Sequence, residues 1–311
     1  MLSLDGFFFG PLLLMQYTKP PLTFEQQADL LIRRGMTGDR DLIVSRLAAV
    51  NYYRLSGYWH PFKDSNEDFV PGTSFDEVWT RYVFDRRLRL LLIDAIERTE
   101  VAVRCRLAYE HAHRHGSFAY ADDPATLPKL DAQQHADLLT HVGDETSRSK
   151  EAFVAHFRSK YGDCHPYLPV WEATEVMTMG TLLTFFKGSP HRIKKAVASC
   201  FNMPDEVISS WLLTLNAIRN ICAHHGRLWN RTLGVKPWIP RAAQYPDWHS
   251  PVQVGNDKVF GVLTVCRYCL RRVAPQSGWP QRFTALIDEF PSIPLADMGF
   301  PTNWKDSPLW K

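Results

Sequence analysis

Residues 74–116 read SFDEVWTRYVFDRRLRLLLIDAIERTEVAVRCRLAYEHAHRHG, and this stretch decides the fold. Ser74, followed three residues later by Glu77, makes a capping box, in which side chains satisfy backbone N–H groups at a helix start. Behind it Phe84, Leu88, Leu91, Ala95, Thr99, Val103 and Leu107 recur every three or four residues. That spacing lays them along one side of a helix as a buried stripe. Gly116 ends the pattern, so this is the longest helix that the sequence predicts. Arg81, Arg86, Arg87, Arg89, Arg98, Arg104 and Arg106 crowd the same segment and fall mostly off the stripe. Arginine offers a planar, permanently charged fork for phosphate, so these faces permit nucleic-acid binding as well as plain solvation.

Helix signals continue on both sides. Thr23 with Gln26 makes another capping box for a helix that runs to about Gly35. Asp39 caps a second helix carrying Leu42, Ile43, Leu47 and Val50 and ending near Gly57. Tyr52, Tyr53, Tyr58, Trp59 and Phe62 cluster there, as a packed corner or as a platform for stacking bases. Beyond the long helix, residues 121–146 are polar with helical character in the middle, and a helix follows over 149–160. A helix is predicted from Trp171 to Lys187, and Ser189-Pro190 is an N-cap and first-position pair for the next, through about Cys200. Pro204 starts another, which turns Val207, Trp211, Leu212, Leu215 and Ile218 inward. From Trp229 to Asn256 the chain reads as an ordered loop. One helix then covers 257–273, and a last one follows Pro280 and stops before Pro291, ahead of an irregular tail.

No strand alternation, repeat or low-complexity tract appears, and the class is all-α. The expected organisation is a loose arm or over-long start at 1–15, an N-terminal helical subdomain at 16–70, a helical core at 71–275, and a C-terminal helix and tail at 276–311.

Composition agrees with a soluble globular protein: 45% hydrophobic, 22% charged, and a net charge of +3, too mild to announce a polyanion partner. Cys105, Cys164, Cys200, Cys222, Cys266 and Cys269 show no secreted-framework spacing, which points to a reducing, cytoplasmic setting. Cys266 and Cys269 share one helix face and have no second ligand pair, so they read as core. Phe7-Phe8-Phe9 and Leu12-Leu13-Leu14 are apolar, but Asp5 precedes them and no basic region or cleavage site accompanies them. They are too short to span a bilayer and do not read as a targeting signal.

The most unusual stretch is Arg219-Asn220-Ile221-Cys222-Ala223-His224, followed by His225-Gly226-Arg227 and later Arg231. Ionisable residues here replace a regular apolar stripe at the end of a helix. Asn220 and His224 are four apart and share a face. Arg219 sits roughly 140° from His224 on an ideal helix, so its arm must reach round or the helix must loosen before Gly226. Cleaving RNA through its own 2′-hydroxyl needs a proton-transfer group, ordinarily histidine, and a cation over the phosphate. His224 and Arg219 suit those roles, with Asn220 fixing the ring or the phosphate. The plainer alternative is a histidine capping a helix C-terminus.

Other constellations carry less. His111 and His115 have a metal-compatible i,i+4 spacing but no intervening carboxylate, and read as a solvated helix end. Glu172 and Glu175 could bind Mg²⁺, but one of them, Glu175 for choice, is expected to orient Arg219. Cys164 and His165 read as loop residues. No Gly-rich phosphate loop and no GxSxG is present, which counts against nucleotide-dependent and acyl-transfer chemistry. No cofactor or metal is expected.

The R-N-x-x-x-H run resembles the Rx4-6H signature of HEPN ribonucleases. More widely the chain resembles the Abi family, the AbiD/AbiF-type abortive-infection proteins of bacteria. The segments that carry this are Tyr17-Thr18-Lys19-Pro20-Pro21-Leu22-Thr23, Asn51-Tyr52-Tyr53-Arg54-Leu55-Ser56-Gly57-Tyr58, Phe84-Asp85-Arg86-Arg87-Leu88-Arg89, Pro169-Val170-Trp171-Glu172 with Glu175-Val176-Met177, Arg219 to Arg231, and Gly299-Phe300-Pro301 with Trp304 and Trp310. The likeness runs from about Tyr17 to the end. Alone the short Rx4H is weak; the ordered set of segments is specific.

The resemblance implies an all-helical HEPN core and a metal-independent endoribonuclease with Arg219, Asn220 and His224 as catalytic residues and His225 in support. It implies a toxin of phage defence, held by a non-coding RNA antitoxin. HEPN motifs usually meet in pairs; this chain holds one convincing copy, which implies a homodimer with a composite site. Arg86, Arg87, Arg89, Arg227 and Arg231 are then the expected RNA contacts. The competing reading is a non-catalytic protein that binds structured RNA by phosphate contact and stacking.

Overall fold

The computed structural model of the chain describes residues 16–17 and 19–311. The expected loose arm or over-long start at 1–15 lies outside the described residues. Thirteen α-helices and five short 3-10 turns make up the secondary structure of the described residues, and no strand occurs among them, so the class is all-α. The residues group into two compact units, one up to Trp79 and one from Thr80 to Lys311.

In the first unit, α1 (Phe24–Arg33), α2 (Arg40–Val50) and α3 (Tyr52–Trp59) follow one another. Both arms of the Thr23–Gln26 capping box are formed, and Asp39 Oδ1 accepts the Leu42 N–H at 2.8 Å. The single helix expected from Asp39 to Gly57 is broken at Asn51, where φ is 74°. Asn51 closes α2 and opens α3, its Oδ1 accepting the Tyr53 N–H at 2.9 Å. Asparagine tolerates positive φ because its short amide bonds locally, a property that apolar periodicity does not register. The aromatic corner is packed in part: Tyr58 and Trp59 are buried, the Tyr52 ring meets Trp59 edge-on at 4.9 Å, and Tyr53 is exposed.

The long helix α4 (Phe75–His115) carries the chain into the second unit. Its 41 residues make a rod about 60 Å long. Ser74 Oγ accepts the Glu77 N–H at 3.2 Å at its start. Phe84, Leu88, Ala95, Thr99, Val103 and Leu107 of the expected stripe are buried, whereas Leu91 is half-buried and Leu92 takes the buried position beside it.

After α4 come α5 (Ala119–Asp122), α6 (Ala132–Arg148), α7 (Ala152–Tyr161), α8 (Val170–Val176), α9 (Met179–Gly188), α10 (His191–Ser199), α11 (Asp205–Ala223), α12 (Val259–Val273) and α13 (Trp279–Glu289). Two boundaries differ from expectation. The helix from Trp171 to Lys187 is split into α8 and α9 at Thr178, whose Oγ1 accepts the Thr181 N–H at 3.3 Å and whose own N–H donates to Glu145 at 3.1 Å. Ser189 does not cap α10: its hydroxyl donates back to the Phe185 carbonyl at 2.9 Å, and Pro190 holds the N-cap position without a capping side chain.

The innermost element is α12, buried at every position from Val259 to Leu270; its buried polar groups are satisfied, Thr264 Oγ1 donating to the Phe260 carbonyl at 2.9 Å. Cys266 and Cys269 lie there as buried free thiols. Residues 276–311 pack onto this unit. Trp279 Nε1 donates to the Leu91 carbonyl of α4 at 2.7 Å. Arg267 of α12 donates to the carbonyls of Leu309, Trp310 and Lys311. The tail is irregular in backbone yet fixed by these contacts.

Candidate active site

α11 turns Val207, Trp211, Leu212, Leu215, Ile218 and Cys222 inward. Arg219, Asn220, His224 and His225, at its C-terminal end, are all exposed. The change from core to solvent within one turn is what the sequence displays as an interrupted stripe.

The helix stays regular to Ala223 and then closes tightly. His225 N–H donates to the Cys222 carbonyl at 3.0 Å and Gly226 N–H to the Ile221 carbonyl at 2.7 Å. This pair of bonds is a Schellman closure. Its left-handed residue is His225, at φ 58°, a position that glycine usually takes. Gly226 serves a different purpose, because a Cβ there would lie 3.1 Å from Ile221 Cγ2 and 3.2 Å from the Ile221 carbonyl oxygen. Of the two alternatives, loosening before Gly226 does not occur, since α11 stays helical to Ala223. Arg219 Nη1 lies 3.4 Å from the neighbouring Asn220 Oδ1.

Beneath this end sits a clamp on α4. The Asp85 carboxylate, fully buried, accepts the Trp229 N–H at 2.7 Å and the Leu228 N–H at 3.2 Å. Arg89, one turn further on, pairs with Asp85 and donates to the Gly226 carbonyl at 3.3 Å. A buried carboxylate needs such donors, and a buried guanidinium such acceptors. The pair thus fixes the backbone leaving α11 and so the direction in which His224 and His225 project. Arg81 lies over the Trp229 ring at 5.5 Å on the same side. Burial pushes the Cys222 thiol up to about 12, which removes it as a nucleophile near neutrality.

The expected RNA contacts divide. Arg86 and Arg231 are exposed. Arg87 pairs with Glu289 and lies over Phe290. Arg227 donates to the carbonyls of Trp229 and Asn230 at 2.8 and 3.2 Å, bracing the loop. Arg89, at 5% exposure, is part of the clamp and not of the surface, because it sits on the inward side of α4 next to Leu88. Asp85 and Arg89 stand four apart beside the apolar stripe, which is the one sequence signal that could have marked them as a buried pair.

Glu175 is exposed and forms no ion pair with Arg219. Glu172 is half-buried on α8, and burial raises its carboxyl. His111 is not a solvated helix end: it is fully buried against Phe185 and His115, neither ring nitrogen has a hydrogen-bond partner among the described residues, and burial drives it down to about 4. Among the described residues no three His, Cys, Asp or Glu side chains are grouped to hold a metal ion. No described helix is long and apolar enough to cross a membrane.

Fold and site together define an all-helical protein presenting an exposed Arg–Asn–His trio on a clamped helix end. The family model described as Abi-like protein matches residues 45–230, which include both α4 and the trio, and the chain belongs to that family of abortive-infection proteins. No curated protein and no solved structure matches it.

Proposed function

We propose that this Abi-like protein is a metal-independent endoribonuclease of the HEPN type, a phage-defence toxin restrained by a non-coding RNA. The observation that carries the proposal is the trio itself: Arg219, Asn220 and His224 are solvent-facing while the backbone that bears them is gripped by the buried Asp85–Arg89 pair. Reactive groups on a rigid, pre-positioned support are what catalysis by orientation requires.

In the reaction, the RNA 2′-oxygen attacks the adjacent phosphorus and the P–O5′ bond breaks. The products are a 2′,3′-cyclic phosphate and a 5′-hydroxyl. One histidine takes the 2′-hydroxyl proton and another returns a proton to the departing O5′. Arg219 lies over the non-bridging oxygens as negative charge builds. Asn220, within reach of Arg219, holds that guanidinium or the phosphate in register.

The chain holds one convincing copy of the motif, so a second chain supplies the second His224. Leu213 is 39% exposed and continues through Ala217 to Asn220 and His224 at helical spacing. Isologous crossing of two α11 helices near Asn220 covers that stripe and brings both copies of His224 to one axis. Expression in bacteria tests the biology. Growth arrest by the chain alone, relieved by co-expression of the RNA encoded beside it, is the expected result. Unimpeded growth in both cases contradicts it.

A further inference from the structure

The cations of the second unit differ in what they face. On α4, Arg87, Arg89, Arg98, Arg104, Arg106 and Arg114 each pair with a carboxylate. All but Arg87 use an acid one turn away on the same helix, with Arg106 and Arg114 sharing Glu110, so most of the rod's arginines are offset by its own side chains, Arg86 standing exposed among them. The junction of α9 and α10 is the reverse. Lys187 lies in the last turn of α9, and Arg192, Lys194 and Lys195 stand on α10. Lys129 joins them, its backbone N–H donating to the Gly188 carbonyl at 3.1 Å. Lys129, Lys187, Arg192 and Lys195 are exposed, Lys194 is half-exposed, and none of the five forms an ion pair among the described residues. His191 completes the group, with its Nδ1 2.9 Å from Oδ2 of the buried Asp205. The first turn of α10 carries no acidic residue, although that end of a helix favours negative charge.

We propose that this α9–α10 patch is the surface that anchors the RNA backbone, in place of the long helix. Its link to cleavage rests on the ribonuclease reading above. The Asp205–His191 contact ties the patch to the first residue of α11, and the trio lies at the other end of that helix. From Asp205 to Arg219 is about 21 Å along the axis, and to His224 about 28 Å. At about 3.4 Å per stacked nucleotide, roughly six to eight nucleotides bridge the two points. An RNA is favoured over an anionic lipid surface because Ile193, Val197 and Ala198 are buried, leaving α10 no apolar strip to sink into a bilayer.

The test uses the full chain carrying His224→Ala, which leaves RNA uncut, with and without Arg192→Ala, Lys194→Ala and Lys195→Ala together. A charge-matched control carries Lys150→Ala, Arg158→Ala and Lys160→Ala. Binding of RNAs of about three and about sixteen nucleotides is measured across a salt series. The patch variant is expected to bind the longer RNA at least about tenfold more weakly, with a log–log salt slope shallower by about 2. The short RNA and the control are expected to be unchanged. An unchanged slope, an equal loss in the control, an equal loss for the short RNA, or no RNA binding by the parent overturns the proposal. So does loss of phosphatidylserine vesicle binding with RNA binding intact. Should the wild-type chain cut no RNA while the patch variant still shows the shallower slope, the patch stands and the ribonuclease reading falls.

Discussion

Asp85 on α4 holds the backbone N–H of Trp229 at 2.7 Å, joining two residues 144 apart in sequence through a fully buried carboxylate. The bond closes the turn beyond α11, so a residue that touches no substrate governs where the proposed catalytic end points. Replacing Asp85 by Ala leaves Arg89 buried without its acid and two N–H groups without an acceptor. A loss of about 3–5 kcal/mol is expected, read as a lower denaturation midpoint with an unchanged slope. Pairing the change with Arg89→Met is expected to recover part of that loss. Equal damage in single and double variants would argue against the clamp.

The Schellman closure gives a second expectation. His225 occupies a left-handed conformation that β-branched side chains resist. His225→Val is expected to cost on the order of 1–2 kcal/mol, and His225→Gly to be far milder. Gly226→Ala is expected to destabilise for a steric reason, since the new methyl meets Ile221. Thermal melts of the three variants rank them; a valine at 225 as stable as glycine contradicts the assignment.

The buried His111 sets an acid dependence. Its folded value, about 4, lies below the ordinary 6.5, so the native state holds the ring neutral while the unfolded chain binds a proton. Full stability is therefore present above pH 6.5 and falls progressively as pH drops from there toward 4. The total for this residue is about 3 kcal/mol. His115, Tyr120 and Phe185 face the ring, with Arg192 and Asp123 acting on His115. His111→Phe is expected to flatten the stability profile across that window. Parallel profiles for variant and wild type would remove His111 as the cause.

Much of this was legible in the sequence, because the physics responsible is local. The stripe from Phe84 to Leu107, the capping box at Thr23 and the buried pair Cys266 and Cys269 all follow from side-chain spacing. The breaks at Asn51 and Thr178 did not show, since each depends on a single polar side chain bonding the backbone while apolar residues continue on both sides. The trio was visible as an interruption of an apolar run. Its support was not, because Asp85 and Trp229 are joined only by folding. Counting arginines also misled. Arg89 and Arg227 are turned to backbone carbonyls, and charge without its partner is not visible in a linear chain.

The exposed trio allows activity to be separated from folding. Arg219→Ala and His224→Ala are expected to shift stability by no more than about 0.5 kcal/mol, because neither side chain is buried. Circular dichroism melts check this before any activity is compared.

The most direct measurement is cleavage of a labelled RNA by purified wild-type protein in excess EDTA, with the product ends analysed. The expected result is cleavage that leaves 2′,3′-cyclic phosphate and 5′-hydroxyl ends and disappears in both Arg219→Ala and His224→Ala. No cleavage by the wild-type protein, cleavage only when Mg²⁺ is added, or undiminished cleavage by the His224→Ala variant would contradict the account.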